Sequence, residues 1–193
     1  MPKVIFIGNE EQRLVERLQE GDKSAAREFY ALYANSLAGV CMRYIADEED
    51  LKDVLQDAFT HIFSHIAEFE YRRPGSLQAW ATKVVVNESL KFLRTKEYHE
   101  VLKDNYDIVD ENDDDIPSLS GIPPNAIRQM LSRLPAGYRT VLNLYVLEGK
   151  SHQEIAALLG IGKDTSASQL HKAKRMLASM IREYNDKNPH DDE

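Results

Sequence analysis

The chain has 193 residues, 42% of them hydrophobic, which is sufficient for packed cores and excludes a wholly disordered protein. No apolar run approaches the roughly 18 residues that cross a bilayer, and the opening VIFIG is too short for a secretory signal, so we expect no membrane insertion. The single cysteine, Cys41, cannot form an internal disulfide. We therefore expect a cytoplasmic protein in which Cys41 is a buried apolar side chain.

The formal net charge of −8 is distributed unevenly along the chain. Residues 99–120 hold 1 Lys or Arg against 8 Asp and Glu, whereas residues 121–185 hold 9 against 4, a net of +5. Residues 1–98 and residues 186–193 each have a net charge of −3. A basic segment beside acidic ones is typical of a protein in which one part alone binds nucleic acid.

Residues 1–98 show the periodicity of consecutive amphipathic helices. Asp22 is the predicted N-cap of a first long helix, and Asp47 begins a second, LKDVLQDAFTHIFSHI. Ser76 is the predicted N-cap of a third, LQAWATKVVVNESLKFLR. These patterns predict a helical N-terminal domain.

Residues 99–120 lose this periodicity and are dense in acid, so they predict a flexible linker that self-repulsion keeps extended. Helical patterning resumes at NAIRQMLSRL, and residues 121–185 predict a second helical domain, followed by an acidic tail over residues 186–193. The expected fold is therefore all-α, with two small helical domains joined by the flexible acidic linker.

The segment KSHQEIAALLGIGKDTSASQLHKAKRML predicts two helices around a glycine turn. Ser151 and Glu154 form an S-x-x-E capping box that begins the first helix. Gly160 can adopt the positive φ that ends it, and Asp164 or Thr165 is the predicted cap of the next helix. This arrangement predicts a helix-turn-helix.

The second helix of this pair combines an apolar stripe with a polar outer face. Leu170, Ala173 and Leu177 share the stripe. Such a helix can enter the major groove of DNA, where amides pair with adenine and cations contact guanine or phosphate. An ordinary helical hairpin with a solvated face is the alternative. The candidate DNA-binding residues of the outer face are Thr165, Ser168, Lys172 and Arg175, with Gln169 on its flank.

Two blocks of the sequence resemble the bacterial RNA polymerase sigma factors of the extracytoplasmic-function group. The features L-x-x-L-P, E-G-x-S-x-x-E-I-A and a glycine turn before T-x-x-S-x-L-x-x-A, between residues 131 and 173, are similar to region four. DVLQDAF at 53–59, followed by Trp80, Asn87 and Leu93-Arg94, resembles region two. The resemblance assigns region two to residues 1–98 and region four to residues 121–185.

The resemblance implies a transcription initiation factor that binds core RNA polymerase, at its clamp and flap, and promoter DNA. Asp53, Gln56 and Asp57 would dock on the clamp, and they fall on one helix face. From spacing alone, a solvated helix face is the better explanation of these three residues. Family members are commonly held by an anti-sigma factor, which is a further candidate partner.

The loop AEFEYRRPGS and the helix after it would handle the −10 promoter element, where a base is unstacked and the displaced strand is held by cations. Asn87 can offer both a donor and an acceptor to a base edge. Trp80 shares helical spacing with Val84, which favours a core position over base stacking. The candidate −10-binding residues are Arg72, Arg73, Lys83, Asn87 and Lys91.

Three positions depart from the family pattern. Lys91 stands where many members have an acid, Ser166 where an apolar residue is common, and Gln169 where an arginine is common. The −35 target of relatives therefore does not carry over to this chain. In the family the linker passes near the polymerase active-site channel, so Asp110–Asp115 are candidates to mimic the path of RNA, with a solubilising spacer as the alternative.

An enzyme is a competing class of function. His61 and His65, at i and i+4, could be a metal pair, but no third ligand accompanies them and no H-E-x-x-H motif is present. The sequence also lacks a glycine-rich phosphate loop and a nucleophile with an evident base. We therefore expect no catalytic residue, no metal and no cofactor.

A stand-alone helix-turn-helix regulator, with an N-terminal domain that binds a ligand or dimerises, is the second alternative. It explains residues 151–177 but leaves the DVLQDAF block and the later Trp80, Asn87 and Leu93-Arg94 without a role. The sigma-factor interpretation accounts for both blocks.

Overall fold

The computed structural model describes residues 10–94 and 117–188, and within them all regular secondary structure is helical. The chain divides into two compact units, Met1–Phe92 and Leu93–Glu193. The all-α expectation is thus confirmed. The described helices are α1 Glu10–Gln19, α2 Lys23–Cys41, α3 Glu48–His65, a 3₁₀ turn Ile66–Glu68, α4 Ser76–Leu93, α5 Pro124–Ser132, α6 Ala136–Val146, α7 His152–Leu159 and α8 Lys163–Lys187.

The segments between and beyond these ranges carry several sequence predictions. Most of the predicted linker 99–120, with Asp110–Asp115, lies outside the described residues. The predicted tail 186–193 is described only to residue 188, and its first two residues belong to the end of α8. The limits predicted for the two domains stay predictions.

The beginnings of α2 and α3 follow their sequence signals. The Asp22 carboxylate accepts a hydrogen bond from the Ser24 amide at 2.7 Å. Asp47 Oδ1 accepts from the amides of Glu49 and Asp50 at 2.9 and 3.0 Å. Both aspartates have extended backbone angles and satisfy amides that the first helical turn leaves without a partner, so both predicted N-caps are confirmed.

The beginning of α4 differs from the prediction. Ser76 is the first residue of the helix and not its side-chain cap. The Leu77 amide donates instead to Oε1 of Glu11, at 2.9 Å, from the distant helix α1. A capping partner so far away in sequence leaves no local signal, which explains the error.

The core of the N-terminal unit is aromatic and aliphatic. The ring of Phe29 lies 4.9 Å from that of Tyr33 and 5.6 Å from that of Phe63, measured between centroids. Cys41 is fully buried, as predicted, and burial raises the pKa of its thiol. Trp80 is half-buried and packs against Phe69 at a centroid distance of 5.1 Å, which agrees with a packing role.

The C-terminal unit is built around α8, which packs against α5, α6 and α7. Ile122, Met130 and Ile181 form a buried cluster at its base. Arg139, in α6, turns inward, and its Nη1 donates to the carbonyls of Ser132 and Leu134 at 3.0 and 3.1 Å. The guanidinium thereby satisfies the carbonyl of the last residue of α5 and that of Leu134 in the turn after it.

Of the signals predicted for the helix-turn-helix, those that begin and end α7 are confirmed, and the predicted cap of α8 is wrong. The capping box is present, since Ser151 accepts from the Glu154 amide and the Glu154 carboxylate accepts from the Ser151 amide. Gly160 has φ +67°, which ends α7 as predicted. However, α8 begins at Lys163 after Gly162 in extended conformation, so Asp164 and Thr165 lie inside its first turn and neither is its cap.

In the described part of the chain, no helix is both long enough and apolar enough to traverse a bilayer.

Candidate nucleic-acid and polymerase interfaces

Helix α8 has one side in the core of its unit. Leu170 is 5% exposed and Ala173 is fully buried, while Leu177 packs on the cluster around Ile181. The predicted apolar stripe is therefore the side that faces α5, α6 and α7. Burial of this stripe fixes the orientation of the remaining α8 side chains.

Four of the predicted DNA-binding residues lie on the opposite side of α8. Ser168 is exposed, and Thr165, Lys172 and Arg175 are partly exposed. At about 100° per residue these positions fall within one arc, so the helix presents hydroxyl and cationic groups on a single accessible face. This is the chemistry that the edges and phosphates of a DNA duplex bind.

Gln169 is the exception, because it is only 1% exposed. It precedes Ala173 by four residues, so the two side chains point within about 40° of each other. The prediction that Gln169 flanks the outer face is wrong: it belongs to the packed side of α8. The sequence contained a signal for this buried position, since the neighbour Leu170 and the i+4 partner Ala173 both belong to the apolar stripe.

Ser166 is also fully buried. Its Oγ lies 3.0 Å from Nδ1 of His152, the first residue of α7. The His152 ring in turn stacks on Tyr145, with centroids 4.9 Å apart. His152 therefore joins α6, α7 and α8, a role that sequence reasoning did not assign.

In the N-terminal unit, α4 presents a polar face formed by Lys83, Asn87 and Lys91. These residues follow one another at i, i+4 and i+8, and all three are exposed. Arg72 and Arg73 are exposed in the loop just before the helix. All five predicted −10 residues are thus solvent-accessible, in the loop and along one side of the following helix.

Lys91 also has a protein partner. Its Nζ lies 3.1 Å from Oε2 of Glu88, whose side chain is only 10% exposed. The other carboxylate oxygen of Glu88 lies 3.0 Å from Nδ1 of His61. Lys91 therefore supplies a cation whose charge is partly balanced, unlike a lysine surrounded by solvent.

His61 and His65 lie side by side on the surface of α3, with their rings stacked at 4.2 Å. His65 Nδ1 is 3.0 Å from the His61 carbonyl, and His61 contacts Glu88. Within residues 10–94 and 117–188, no group of three His, Cys, Asp or Glu side chains is arranged to hold a metal ion.

Asp53, Gln56 and Asp57 are exposed together on one side of α3, while Val54, Ala58 and Ile62 of the same helix are buried. The structure thus brings the three predicted clamp-binding residues onto one accessible face.

Beside that face lies a cavity of about 590 Å³ between α2 and α3. Its lining includes Gln56 and the aromatic rings of Tyr30, Phe59 and Phe63. Tyr30 is 56% exposed, which is high for an aromatic residue. This groove could not be predicted from the sequence, because it forms only when two helices pack.

A second exposed apolar feature lies at the end of α6 in the C-terminal unit. Tyr145, Val146 and Leu147 are 40%, 58% and 53% exposed. We call these three consecutive residues the α6 patch. It was also missed, because in sequence these residues read as a continuation of the buried helix.

Comparison with known protein families places both units. Residues 29–98 match the family model described as Sigma-70 region 2, and residues 125–177 match the one described as Sigma-70, region 4. The first match includes α3 and α4 with their exposed faces. The second includes α7 and the part of α8 that carries the outer polar face.

Relatives match over most of the length of this chain. An ECF RNA polymerase sigma-E factor of Haemophilus influenzae is 29% identical over 182 residues, which cover 89% of this chain and 95% of the relative. The RNA polymerase sigma-H factor of Pseudomonas aeruginosa is 25% identical, with coverages of 87% and 92%. The solved structure of CnrH in complex with the cytosolic domain of CnrY has a TM-score of 0.47 at 21% identity, covering 89% of this chain and 97% of that one. On the two family regions and the sequence relatives named as sigma factors, the chain belongs to the sigma-70 family of RNA polymerase sigma factors, in its extracytoplasmic-function group.

Proposed function

We propose that this sigma factor joins core RNA polymerase through α3 and contacts a promoter at two places, the −10 element and the −35 element. The observation that carries the proposal is the pairing of two accessible polar helix faces, one on α4 and one on α8, each opposite a buried stripe. A single regulator domain needs only one such face. A sigma factor needs two.

The −35 element is assigned to the outer face of α8. Thr165 and Ser168 supply hydroxyl groups near the beginning of the helix, and Lys172 and Arg175 supply cations one and two turns later. A helix that enters a major groove reads bases with residues near its N-terminus and contacts phosphates along its length. Because Gln169 is buried, it has no place in this contact.

The −10 element is assigned to the loop before α4 and to the helix itself. Arg72 and Arg73 are exposed cations in the loop, suited to holding a displaced strand. Asn87 stands exposed between Lys83 and Lys91, where its amide can read a base edge. Strand opening then draws on binding energy, and no catalytic residue is required of this chain.

Two surfaces of this protein are assigned to the contact with core polymerase. Asp53, Gln56 and Asp57 supply an acidic and polar face for the clamp, and the adjoining groove supplies an apolar contact. The α6 patch is an apolar surface for the flap, since exposed apolar clusters commonly mark binding sites. An anti-sigma factor stays a partner predicted by family resemblance.

The test is promoter-specific run-off transcription with core polymerase stripped of its own sigma factor. We expect transcripts only when this protein is added, and mapping their starts gives the promoter. The result that would overturn the proposal is a protein that binds duplex DNA tightly and specifically by itself yet never joins core polymerase.

A further inference from the structure

Helix α1 has no part in the proposed contacts, yet it buries a charged residue. Glu11 is fully buried on the side of α1 that also carries Leu14, Val15 and Leu18. A buried carboxylate is costly unless hydrogen-bond donors compensate it. The partners of Glu11 therefore indicate what this side of α1 does.

Two backbone amides at the end of the loop that carries the arginines donate to Glu11. The Gly75 amide donates to Oε2, and the Leu77 amide donates to Oε1 at 2.9 Å. These amides lie at the N-terminus of α4, where a helix favours negative charge. Gly75 has φ +85°, a conformation that a side chain at this position would strain. The carboxylate thus fixes the exit of the loop.

The other end of the same loop is held by Gln19, the last residue of α1. Its Nε2 donates to the carbonyl of Phe69 at 2.8 Å and to that of Ile66 at 3.1 Å. Glu11 and Gln19 are eight residues apart, which in a helix is about 12 Å. One rigid helix therefore holds both the beginning and the end of the loop.

Between these two anchors, the loop exposes Arg72 and Arg73 while its inner side rests on Glu11. Tyr71 is half-buried, and its pKa is raised mainly by burial and to a smaller extent by the negative charge of Glu11. The Ser76 amide donates to the Arg73 carbonyl at 3.0 Å, which closes the exit turn. The exposed arginines are thus mounted on a backbone that the protein interior restrains.

We propose that α1 positions the −10 loop, with Glu11 and Gln19 as positioning residues that hold Arg72 and Arg73 ready for the displaced strand. This inference rests on the proposed −10 role of the loop. A preformed loop does not have to be ordered when DNA arrives, so α1 increases affinity for the strand without contacting it.

The test measures binding of holoenzyme to a fluorescent single-stranded oligonucleotide that carries the non-template strand of a promoter mapped by run-off transcription. Gln19 is exposed, so Q19A leaves the core intact. We expect Q19A to weaken strand binding at least fivefold, because it removes both hydrogen bonds to the loop and each contributes about 1 kcal/mol. The matched control is Q12A on the same helix, because Gln12 donates to Glu16 and does not contact the loop; it should bind as the wild type does.

A double-mutant cycle separates positioning from general destabilisation. If Gln19 acts through the arginines, Q19A should add little to the loss already caused by R72A/R73A. An additive loss, or equal binding by Q19A and Q12A, would overturn the inference. The E11Q variant, which retains the shape of the Glu11 side chain but loses its charge, should also weaken strand binding. If E11Q does not fold, the Q19A result alone tests the inference. Undiminished strand binding by R72A/R73A would instead count against the proposed −10 role.

Discussion

Lys172 and Lys174 are the same residue type, two positions apart on α8, and both are partly exposed. At about 100° per residue, their side chains point about 160° apart around the helix, so only Lys172 shares the outer face with Ser168. This pair separates a DNA contact from a general effect of positive charge, because each substitution removes one charge from the same helix.

We expect K172A to reduce −35-dependent transcription by about fivefold or more, since one good base or phosphate contact contributes about 1–3 kcal/mol. K174A should retain activity near that of the wild type. The measurement is run-off transcription at limiting holoenzyme on a mapped promoter. Equal losses of transcription in the two variants would contradict the proposal that the outer face of α8 contacts DNA.

At this scale, the sequence predicted side chains whose partners are close along the chain. Asp22, Asp47 and Ser151 cap helices by bonding amides two or three residues away, so the pattern alone sufficed. Ser76 was predicted as a cap, but its role is taken by Glu11, whose position depends on tertiary packing. Gln169 was misplaced because its polarity was given more weight than its angular position on α8.

A charged turn joins helices α1 and α2, and the contribution of its Asp22 carboxylate to stability should depend on pH. Asp22 accepts hydrogen bonds from Ser24 and Arg17, and these bonds lower the pKa of its carboxyl from 3.8 to about 2. Arg17 also contacts Glu28 at 2.8 Å. The folded state therefore prefers the ionised form of Asp22, and its contribution to stability is present above the unfolded pKa.

We expect D22N to lower the melting temperature at neutral pH, because the amide cannot replace the charge that Arg17 and the beginning of α2 favour. The difference from the wild type should persist down to about pH 4 and shrink as the pH falls toward 2, where the carboxyl protonates. Thermal unfolding followed by circular dichroism across this range is the measurement. A difference independent of pH would show that the charge of Asp22 has no part in stability.

The exposed side of α3 gives a prediction about core polymerase. We expect the triple variant D53A/Q56A/D57A to weaken binding to core polymerase at least tenfold, because three neighbouring polar contacts of about 1 kcal/mol each are lost together. All three side chains are exposed, so the fold should be retained. Co-elution with core polymerase measures the effect, with E68A, also exposed in the same unit, as the control.

The contrary outcome would be co-elution of the triple variant at wild-type levels. In that case this side of α3 is a solvated surface, and the aromatic groove formed with Tyr30, Phe59 and Phe63 becomes the candidate contact.

The positions of the helices could be predicted from their apolar periodicity. The groove and the α6 patch could not, because they depend on which apolar side chains the packed helices leave uncovered.

For the whole molecule, the distribution of charge raises the question of how an acidic protein approaches DNA. Residues 121–185 have a net charge of +5, but residues 99–120 contribute −7, so the chain as a whole repels a duplex at long range. We infer that the acidic segment suppresses binding of the free protein to bulk DNA. Productive contact is then left to the polymerase-bound state, in which the polymerase supplies further affinity.

This inference predicts the effect of removing linker charge. We expect D110N/D113N/D114N/D115N, which changes the net charge from −8 to −4, to increase binding of the free protein to nonspecific duplex DNA by about tenfold at low salt. The gain should shrink as salt rises, because the Debye length falls from about 30 Å at 0.01 M to about 8 Å at 0.15 M. Fluorescence anisotropy with a labelled duplex, titrated at several salt concentrations, gives both quantities. A gain that persists unchanged at high salt would point to a direct contact of the linker, and no gain at low salt would show that the helix-turn-helix unit alone determines the affinity for DNA.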